Sequence, residues 1–173
     1  MTLSSRTDPS HTVCAAMMVV STLVATAAAA QSTRAASHVR SEDPLIAQLI
    51  ADAPGLSATF RDLVTAIDTT NGIVYVESGR CGRGARACLV LDMQVAGPNR
   101  ILRVLVTTRR DREGLIGSIG HELHHAWEIL QDPKITTSAA MFFHYFGKAS
   151  LSPNRFETDG AIEAGHRIED ELR

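Results

Sequence analysis

The segment from Glu113 to Gln131 places the strongest constraint on how this chain can fold. When its residues are projected on a helix at about 100° per residue, the apolar side chains fall on one side, and His121 and His125 fall together on the other. The apolar side consists of Leu115, Ile119, Leu123, Ala126 and Leu130. We therefore expect an amphipathic helix that packs its apolar side into the core and turns two histidines toward a cleft.

These two histidines have the spacing of metal ligands. His121 and His125 are one helical turn apart, so both imidazoles can reach one cation. Glu122 lies beside the pair, where its carboxylate can polarise a water molecule without being a ligand. The pattern is the His-Glu-x-x-His motif of zinc hydrolases, so Zn²⁺ is the expected cofactor. The alternative is a pair of histidines on a surface helix that binds no metal.

A catalytic zinc ion needs a third protein ligand, and three acidic side chains downstream are candidates. If residues 155–172 form a helix, Glu157 begins a stripe that is otherwise apolar, whereas Asp159 and Glu163 point elsewhere. A carboxylate directed into a packed face is costly unless it is paired or bound to a metal. We therefore predict Glu157 as the third ligand, and a salt bridge from Glu157 to an arginine is the alternative.

Residues 1–30 have the composition of a targeting segment. The stretch from Thr12 to Ala30 carries no charge and ends in a run of alanines, which suits cleavage by a signal peptidase after Ala30. An uncleaved membrane anchor is the alternative, because the stretch is just long enough to cross a bilayer. Either interpretation places the rest of the chain outside the cytoplasm, in the periplasm or secreted. We expect residues 31–42 to form a loose lead-in and residues 43–173 to form a single domain.

The cysteines agree with export. Without the leader, Cys81 and Cys88 are the two that remain. An even pair in an oxidising compartment predicts a disulfide, here one that closes a short loop. No further soft ligand is nearby in the sequence, so we do not expect these cysteines to bind a metal.

The pattern between residues 43 and 173 predicts an α+β fold. Helices are expected from Pro44 to a break at Pro54, after a cap at Ser57, and between Ser138 and Phe146. β-branched and apolar runs predict three strands, at residues 73–76, 89–91 and 101–106. Short strands joined by turns most simply form a small antiparallel sheet.

The motif from His121 to His125, followed by a glutamate on a later helix, resembles the gluzincin type of zinc metallopeptidase. The resemblance covers roughly residues 119–172. It implies a zincin-like scaffold, a sheet packed on the motif helix, in which His121, His125 and Glu157 bind zinc and Glu122 is the general base. It also implies that an edge strand aligns an extended peptide by β-addition, a role that would suit the strand at residues 101–106.

One position departs from the gluzincin pattern. Many members of that family carry an acidic residue four positions after the third ligand, where it braces a zinc-bound histidine. Here that position is Ala161. A bracing hydrogen bond must therefore come from another residue or be absent.

Four further side chains near the motif could contribute to a site. Glu128 could bind an arginine or a substrate amine, or it could support a ligand from behind. His124 borders the predicted cleft, although a surface position is the simpler interpretation. His144 and Tyr145 could donate to an oxyanion, and a partly buried pair among neighbouring phenylalanines is the simpler interpretation for them.

Together these patterns predict a zinc-dependent hydrolase, most simply a metallopeptidase that acts on a peptide or protein. Glu122 would take a proton from the attacking water and return it to the leaving amine. The alternative is an exported module that keeps the zinc site and binds a metal or a partner without turnover. The net charge of −2 gives no basic field to hold a nucleic acid. Membrane contact is expected only through an uncleaved leader, and the sequence does not set the oligomeric state.

Overall fold

The computed structural model describes residues 36–109, 111–148 and 156–173. The predicted leader at residues 1–30 and the predicted start of the last helix at residue 155 lie outside these described residues. In the described part of the chain, no helix is both long and apolar enough to cross a membrane. The described residues belong to one compact unit with an α+β architecture.

Two N-terminal helices begin where the sequence supplies caps. α1 (Pro44–Leu56) begins after Asp43, whose carboxylate accepts the N–H groups of Leu45 and Ile46. α2 (Ala58–Asp68) begins after Ser57, whose hydroxyl accepts the N–H of Phe60. The predicted break at Pro54 is wrong, because Pro54 lies inside the last turn of α1 and the helix ends at Leu56.

The five strands of the described residues form one mixed sheet. The strands are β1 (Val39–Arg40), β2 (Gly72–Ser78), β3 (Ala87–Leu89), β4 (Gln94–Ala96) and β5 (Asn99–Val106). Their order is β1-β2-β5-β3, and β4 also pairs with β5. β1 and β5 run parallel to β2, whereas β3 and β4 run antiparallel to β5. The predicted antiparallel sheet is therefore wrong, because the chain passes through β3 and β4 before it returns beside β2.

The position of β5 corrects two further expectations. β5 lies between β2 on one side and β3 and β4 on the other, so the strand at residues 101–106 is central and is not an edge. The edge beyond β5 is β3. The expected loose lead-in is also partly ordered, because Val39 and Arg40 pair with Val74 and Tyr75 of β2.

Successive side chains of β5 point to opposite faces of the sheet, which explains how a charged residue fits within its apolar run. Leu102, Val104 and Val106 are buried under the helices. Arg103 points to the opposite face, where its Nε and Nη2 lie 3.0 and 2.7 Å from the carboxylate oxygens of Glu77. Arg103 therefore does not interrupt the core.

The C-terminal half contains three helices, α3 (Arg112–Leu130), α4 (Ser138–Lys148) and α5 (Asp159–Glu171). All five residues of the predicted apolar side of α3 are buried, which confirms the predicted amphipathic helix. The end of α3 is held by the buried guanidinium of Arg100 on β5. It donates to the backbone carbonyls of Ile129, Leu130, Asp132 and Ile135.

α3 and α5 approach closely because glycines lie between them. A Cβ added at Gly120 of α3 would overlap Cδ1 of Ile168. A Cβ added at Gly165 of α5 would lie 3.2 Å from the Cβ of His121. The missing side chains thus bring α5 against the face of α3 that carries the first histidine of the motif.

Candidate metal centre

His121, His125 and Glu157 converge in the structure, as predicted. The Oε2 atom of Glu157 lies 2.9 Å from Nε2 of His121 and 3.9 Å from Nε2 of His125. One potential ligand atom from each residue lies within 4.8 Å of the other two. In the described part of the chain, no other group of three histidine, cysteine or acidic residues meets this criterion. Two imidazole nitrogens and one carboxylate oxygen form a donor set that catalytic zinc takes.

Glu157 reaches this place by a route that differs from the predicted one. α5 begins at Asp159, and the hydroxyl of the capping residue Thr158 accepts the N–H of Ala161. Glu157 therefore precedes the helix and does not begin an apolar stripe on it. The grouping of Glu157 with the two histidines is confirmed. The reason given for it, that Glu157 begins the inward face of the last helix, is wrong.

The three converging side chains stabilise one another's charged forms. Hydrogen bonds with His121 and then His125 hold the pKa of Glu157 well below its usual range. Burial lowers the pKa of His125, but hydrogen bonds with Glu128 and Glu157 outweigh this effect and raise it to about 9. A proton on Nε2 of His125 faces the carboxylate of Glu157, and a divalent metal bound there would replace that proton.

Glu128 supports His125 from behind. Its Oε2 lies 3.1 Å from Nδ1 of His125, and its Oε1 accepts the hydroxyl of Thr158 at 2.8 Å. Since Nδ1 is engaged by Glu128, Nε2 is the nitrogen that His125 turns toward Glu157. Ala161 is buried and supplies no such contact, so the brace comes from the same helix as the histidine. The sequence indicates this contact, because His125 and Glu128 are three residues apart on one helix and such residues are neighbours.

Glu122 is a buried carboxylate beside the three converging residues. Its side chain accepts the backbone N–H of Leu89 through Oε2 at 2.7 Å. Burial raises the pKa of Glu122, against the opposing effects of His121, His125 and this hydrogen bond. A carboxylate with a raised pKa is suited both to accept and to return a proton near neutral pH.

β3, whose Leu89 N–H bonds to Glu122, is an edge strand among the residues that the structure describes. On either side of β3, Val90 donates its backbone N–H to Arg103 of β5, and Arg86 accepts the N–H of Thr107, which directly follows β5, both at 2.8 Å. In an antiparallel pair such bonds fall on alternate residues, so Ala87 and Leu89 direct their backbone groups away from β5. The Leu89 N–H goes to Glu122, and Ala87 directs both its N–H and its C=O toward the cleft.

The two cysteines and the candidates His144 and Tyr145 make contacts that stabilise the fold. Cys81 and Cys88 form the predicted disulfide, which closes the loop before β3. Tyr145 is buried, and its hydroxyl donates to the backbone carbonyl of His125 at 2.6 Å. This hydroxyl therefore anchors α4 to α3 and is not directed at an oxyanion. His144 is half-buried with its ring 5.4 Å from that of Tyr145, which agrees with the simpler interpretation of both residues.

His124 is half-buried rather than on the surface. Its Nδ1 lies 3.5 Å from Oε1 of Glu128, and its ring contacts Trp127 with centroids 5.2 Å apart. Burial lowers the pKa of His124. In the described residues His124 does not join the three converging side chains.

Comparison with known proteins found no similar protein. No protein-family model matches this chain, and no curated protein or solved structure is similar to it. The resemblance to gluzincins therefore stays a prediction that depends on the motif and on the geometry described above.

Proposed function

We propose that this chain is a zinc-dependent hydrolase, most simply a metallopeptidase of the gluzincin type on a zincin-like scaffold. The convergence of His121, His125 and Glu157 beside the buried Glu122 carries the proposal. These three residues would hold the metal. A bound zinc ion supplies Lewis-acid activation of a water molecule and of the carbonyl that the water attacks.

Glu122 moves the proton in this mechanism. Its Oε2 is held by the N–H of Leu89, which leaves Oε1 to accept a proton as the water oxygen attacks the carbonyl carbon. When the bond from carbon to nitrogen breaks, Glu122 returns that proton to the leaving amine. The raised pKa of Glu122 favours the first step, since the protonated carboxyl that it produces is less costly in a buried site than the carboxylate.

The edge of β3 supports a peptide as the substrate. Ala87 presents an N–H and a C=O beside Glu122, and an extended peptide can pair with both groups by β-addition. This assigns to β3 the role that the sequence suggested for the central strand β5. The disulfide also supports an exported location, because such bonds persist in oxidising compartments.

Zinc content and cleavage of a mixed peptide library test the proposal together. We expect one zinc per chain in the untagged wild type, and Glu122→Gln should keep the metal while losing roughly 10²- to 10⁴-fold in cleavage rate. Glu157→Ala should lose the metal. Glu163→Gln is the matched control, because that carboxylate is exposed on α5 and pairs with Arg167.

The outcomes separate the proposal from its alternatives. Equal cleavage by wild type and Glu122→Gln would refute the mechanism and leave the metal site intact. Bound zinc with no chelator-sensitive cleavage of any peptide would favour the non-catalytic metal-binding module. A wild-type protein without bound metal would exclude both.

A further inference from the structure

Two cavities meet at the candidate centre. Their volumes are about 280 Å³ and about 490 Å³, and both are lined by Ala85, Ala87, Glu122 and Glu157. The proposed base and the proposed third ligand thus lie at the junction of the two cavities. A peptide that pairs with Ala87 would place residues from either side of its scissile bond in different cavities.

The smaller cavity, which we call the apolar cavity, is lined by no charged side chain outside the centre itself among the residues that the structure describes. Apart from His125 and the shared residues, it is lined by Leu89, Leu91, Tyr145, Phe156 and the disulfide loop. Tyr145 contributes its ring there, because its hydroxyl is bonded to the carbonyl of His125. Such a pocket binds aliphatic or aromatic side chains and disfavours charged ones, which would lose their hydration without finding a partner.

An aromatic surface continues outward from the apolar cavity. The ring of Phe156 contacts that of Phe142 with centroids 5.4 Å apart, and Phe142 stacks on Phe146 at 5.9 Å. Phe142 and Phe146 are 40% and 59% exposed. Among the described residues, the surface next to Phe156 is therefore also apolar. The cavity itself can hold a side chain as large as that of leucine, methionine or phenylalanine.

The larger cavity, which we call the polar cavity, lies on the His121 side of the centre. Its walls carry charged and polar side chains from the disulfide loop, α3 and α5. These are Arg86, Ser118, His166 and Glu169. This cavity suits a polar or charged residue of either sign, and it offers no enclosed apolar wall comparable with that of Leu89, Leu91 and Phe156.

The direction of β3 decides which part of a substrate meets which cavity. Arg86, just before β3, lines the polar cavity, whereas Leu89 and Leu91, at its end and beyond, line the apolar cavity. In antiparallel pairing, one substrate residue exchanges two hydrogen bonds with Ala87, and this pairing is slightly more stable than the parallel one. A substrate strand antiparallel to β3 places its N-terminal part along Leu89 and Leu91.

From this arrangement we infer a side-chain specificity, which rests on the proposed function. The apolar cavity binds a large apolar side chain immediately N-terminal to the scissile bond, and the polar cavity accepts a polar residue C-terminal to it. The substrate class is thus an extended peptide segment in which an apolar residue precedes a polar one at the cleaved bond.

Mapping the cleaved bonds tests the inference directly. The zinc-loaded wild type is incubated with a peptide library of natural sequences, and the new termini are identified by mass spectrometry. We expect leucine, methionine and phenylalanine to exceed serine and aspartate by at least roughly tenfold at the position before the cleaved bond. Apolar residues enriched only after the cleaved bond, on both sides equally, or on neither side would overturn the inference.

Substitutions in the wall of the apolar cavity test whether this cavity causes the preference for apolar residues before the cleaved bond. Leu91→Glu should lower cleavage after apolar residues by at least roughly tenfold and raise cleavage after lysine and arginine, while Leu91→Met should retain the wild-type preference. Val95→Glu is the matched control, because Val95 is exposed on β4 and lines neither cavity. An unchanged preference in Leu91→Glu would contradict the assignment. Leu91→Thr, which introduces a smaller, uncharged polar side chain, serves if the glutamate variant fails to fold.

A binding measurement separates this inference from the proposed catalysis. The zinc-loaded Glu122→Gln protein is titrated with two alanine- and serine-based peptides that differ by one leucine replaced with serine. We expect the leucine peptide to bind at least roughly tenfold more tightly. Equal binding would refute the apolar cavity as a binding site even if the wild type cleaves peptides. If the leucine peptide binds tenfold more tightly but the wild type cleaves no peptide, the binding site is supported and the hydrolase proposal is refuted.

Discussion

Removal of the Glu128 carboxylate should weaken zinc binding even though Glu128 is not a predicted ligand. Glu128→Ala deletes the 3.1 Å contact with Nδ1 of His125 and the 2.8 Å hydrogen bond from Thr158. The first contact fixes which nitrogen of His125 faces the metal. The second holds the residue that directly follows Glu157, so one carboxylate supports both chain segments that supply ligands.

The size of the effect follows from these two contacts. Loss of a single hydrogen bond behind a ligand costs about 10- to 100-fold in metal affinity. Glu128 is largely shielded from solvent, with 17% of its side chain exposed, and its bond to His125 is charge-assisted. We therefore expect the upper part of this range, about 30- to 100-fold in the Kd for zinc, which equals about 2–2.7 kcal/mol.

Competition with a chromophoric zinc chelator measures this Kd. Glu128→Gln should lose less than roughly tenfold, because its amide oxygen can still accept a hydrogen bond from Nδ1 of His125. Glu163→Ala is the control, since the carboxylate of Glu163 is 67% exposed and lies on α5 away from His125. Circular dichroism of each metal-free variant checks folding. A folded Glu128→Ala protein whose Kd is within twofold of the wild-type value would refute the bracing role.

Two further predictions concern stability. The metal-free protein should lose up to about 3 kcal/mol of unfolding free energy between pH 6.5 and 9, because the pKa of His125 is raised to about 9 and its stabilising proton is lost as the pH rises through that value. Urea melts of the wild type and His125→Asn test this, and a loss of similar size in both would contradict it. Arg100→Met should cost about 3 kcal/mol or more, because it leaves buried carbonyls at the end of α3 without a donor. Arg103→Met, which breaks a half-exposed pair with Glu77, should cost clearly less than Arg100→Met, and equal losses in these two variants would count against the helix-end role of Arg100.

Local periodicity made the motif helix predictable. The apolar side of α3 and the shared direction of His121 and His125 follow from helix geometry alone, which no distant contact changes. The caps at Asp43 and Ser57 were predictable for the same reason, since each acts within three residues of its own position.

Strand pairing was not predictable, because it depends on residues far apart in the chain. Nothing within residues 73–76 or 101–106 indicates whether the two strands run in the same direction. The parallel pairing of β2 and β5 arises only when β3 and β4 take the far side of β5. In the same arrangement, β3 is the edge strand beside the site, whereas β5, the strand expected there, is central.

The supporting contacts of the site were only partly visible in the sequence. Glu128 could be placed near His125 by its helical spacing, but its bond to Thr158 joins residues 30 positions apart. The bond from Leu89 to Glu122 uses a backbone N–H, which no pattern of side chains reveals. Glu157 lies beside the two histidines as expected, although the helix on which it was expected begins later, at Asp159.

Gly120 and Gly165 set the spacing on which the candidate ligands depend. A methyl group at Gly120 would overlap Cδ1 of Ile168 unless that side chain moved, and one at Gly165 would lie 3.2 Å from the Cβ of His121, so an alanine at either position disturbs the packing of α5 on α3. The distance between the carboxylate of Glu157 and the imidazole of His121 is therefore governed by two residues that have no functional group. A mutational survey confined to acids, bases and nucleophiles would miss them, yet an alanine at either position should weaken metal capture.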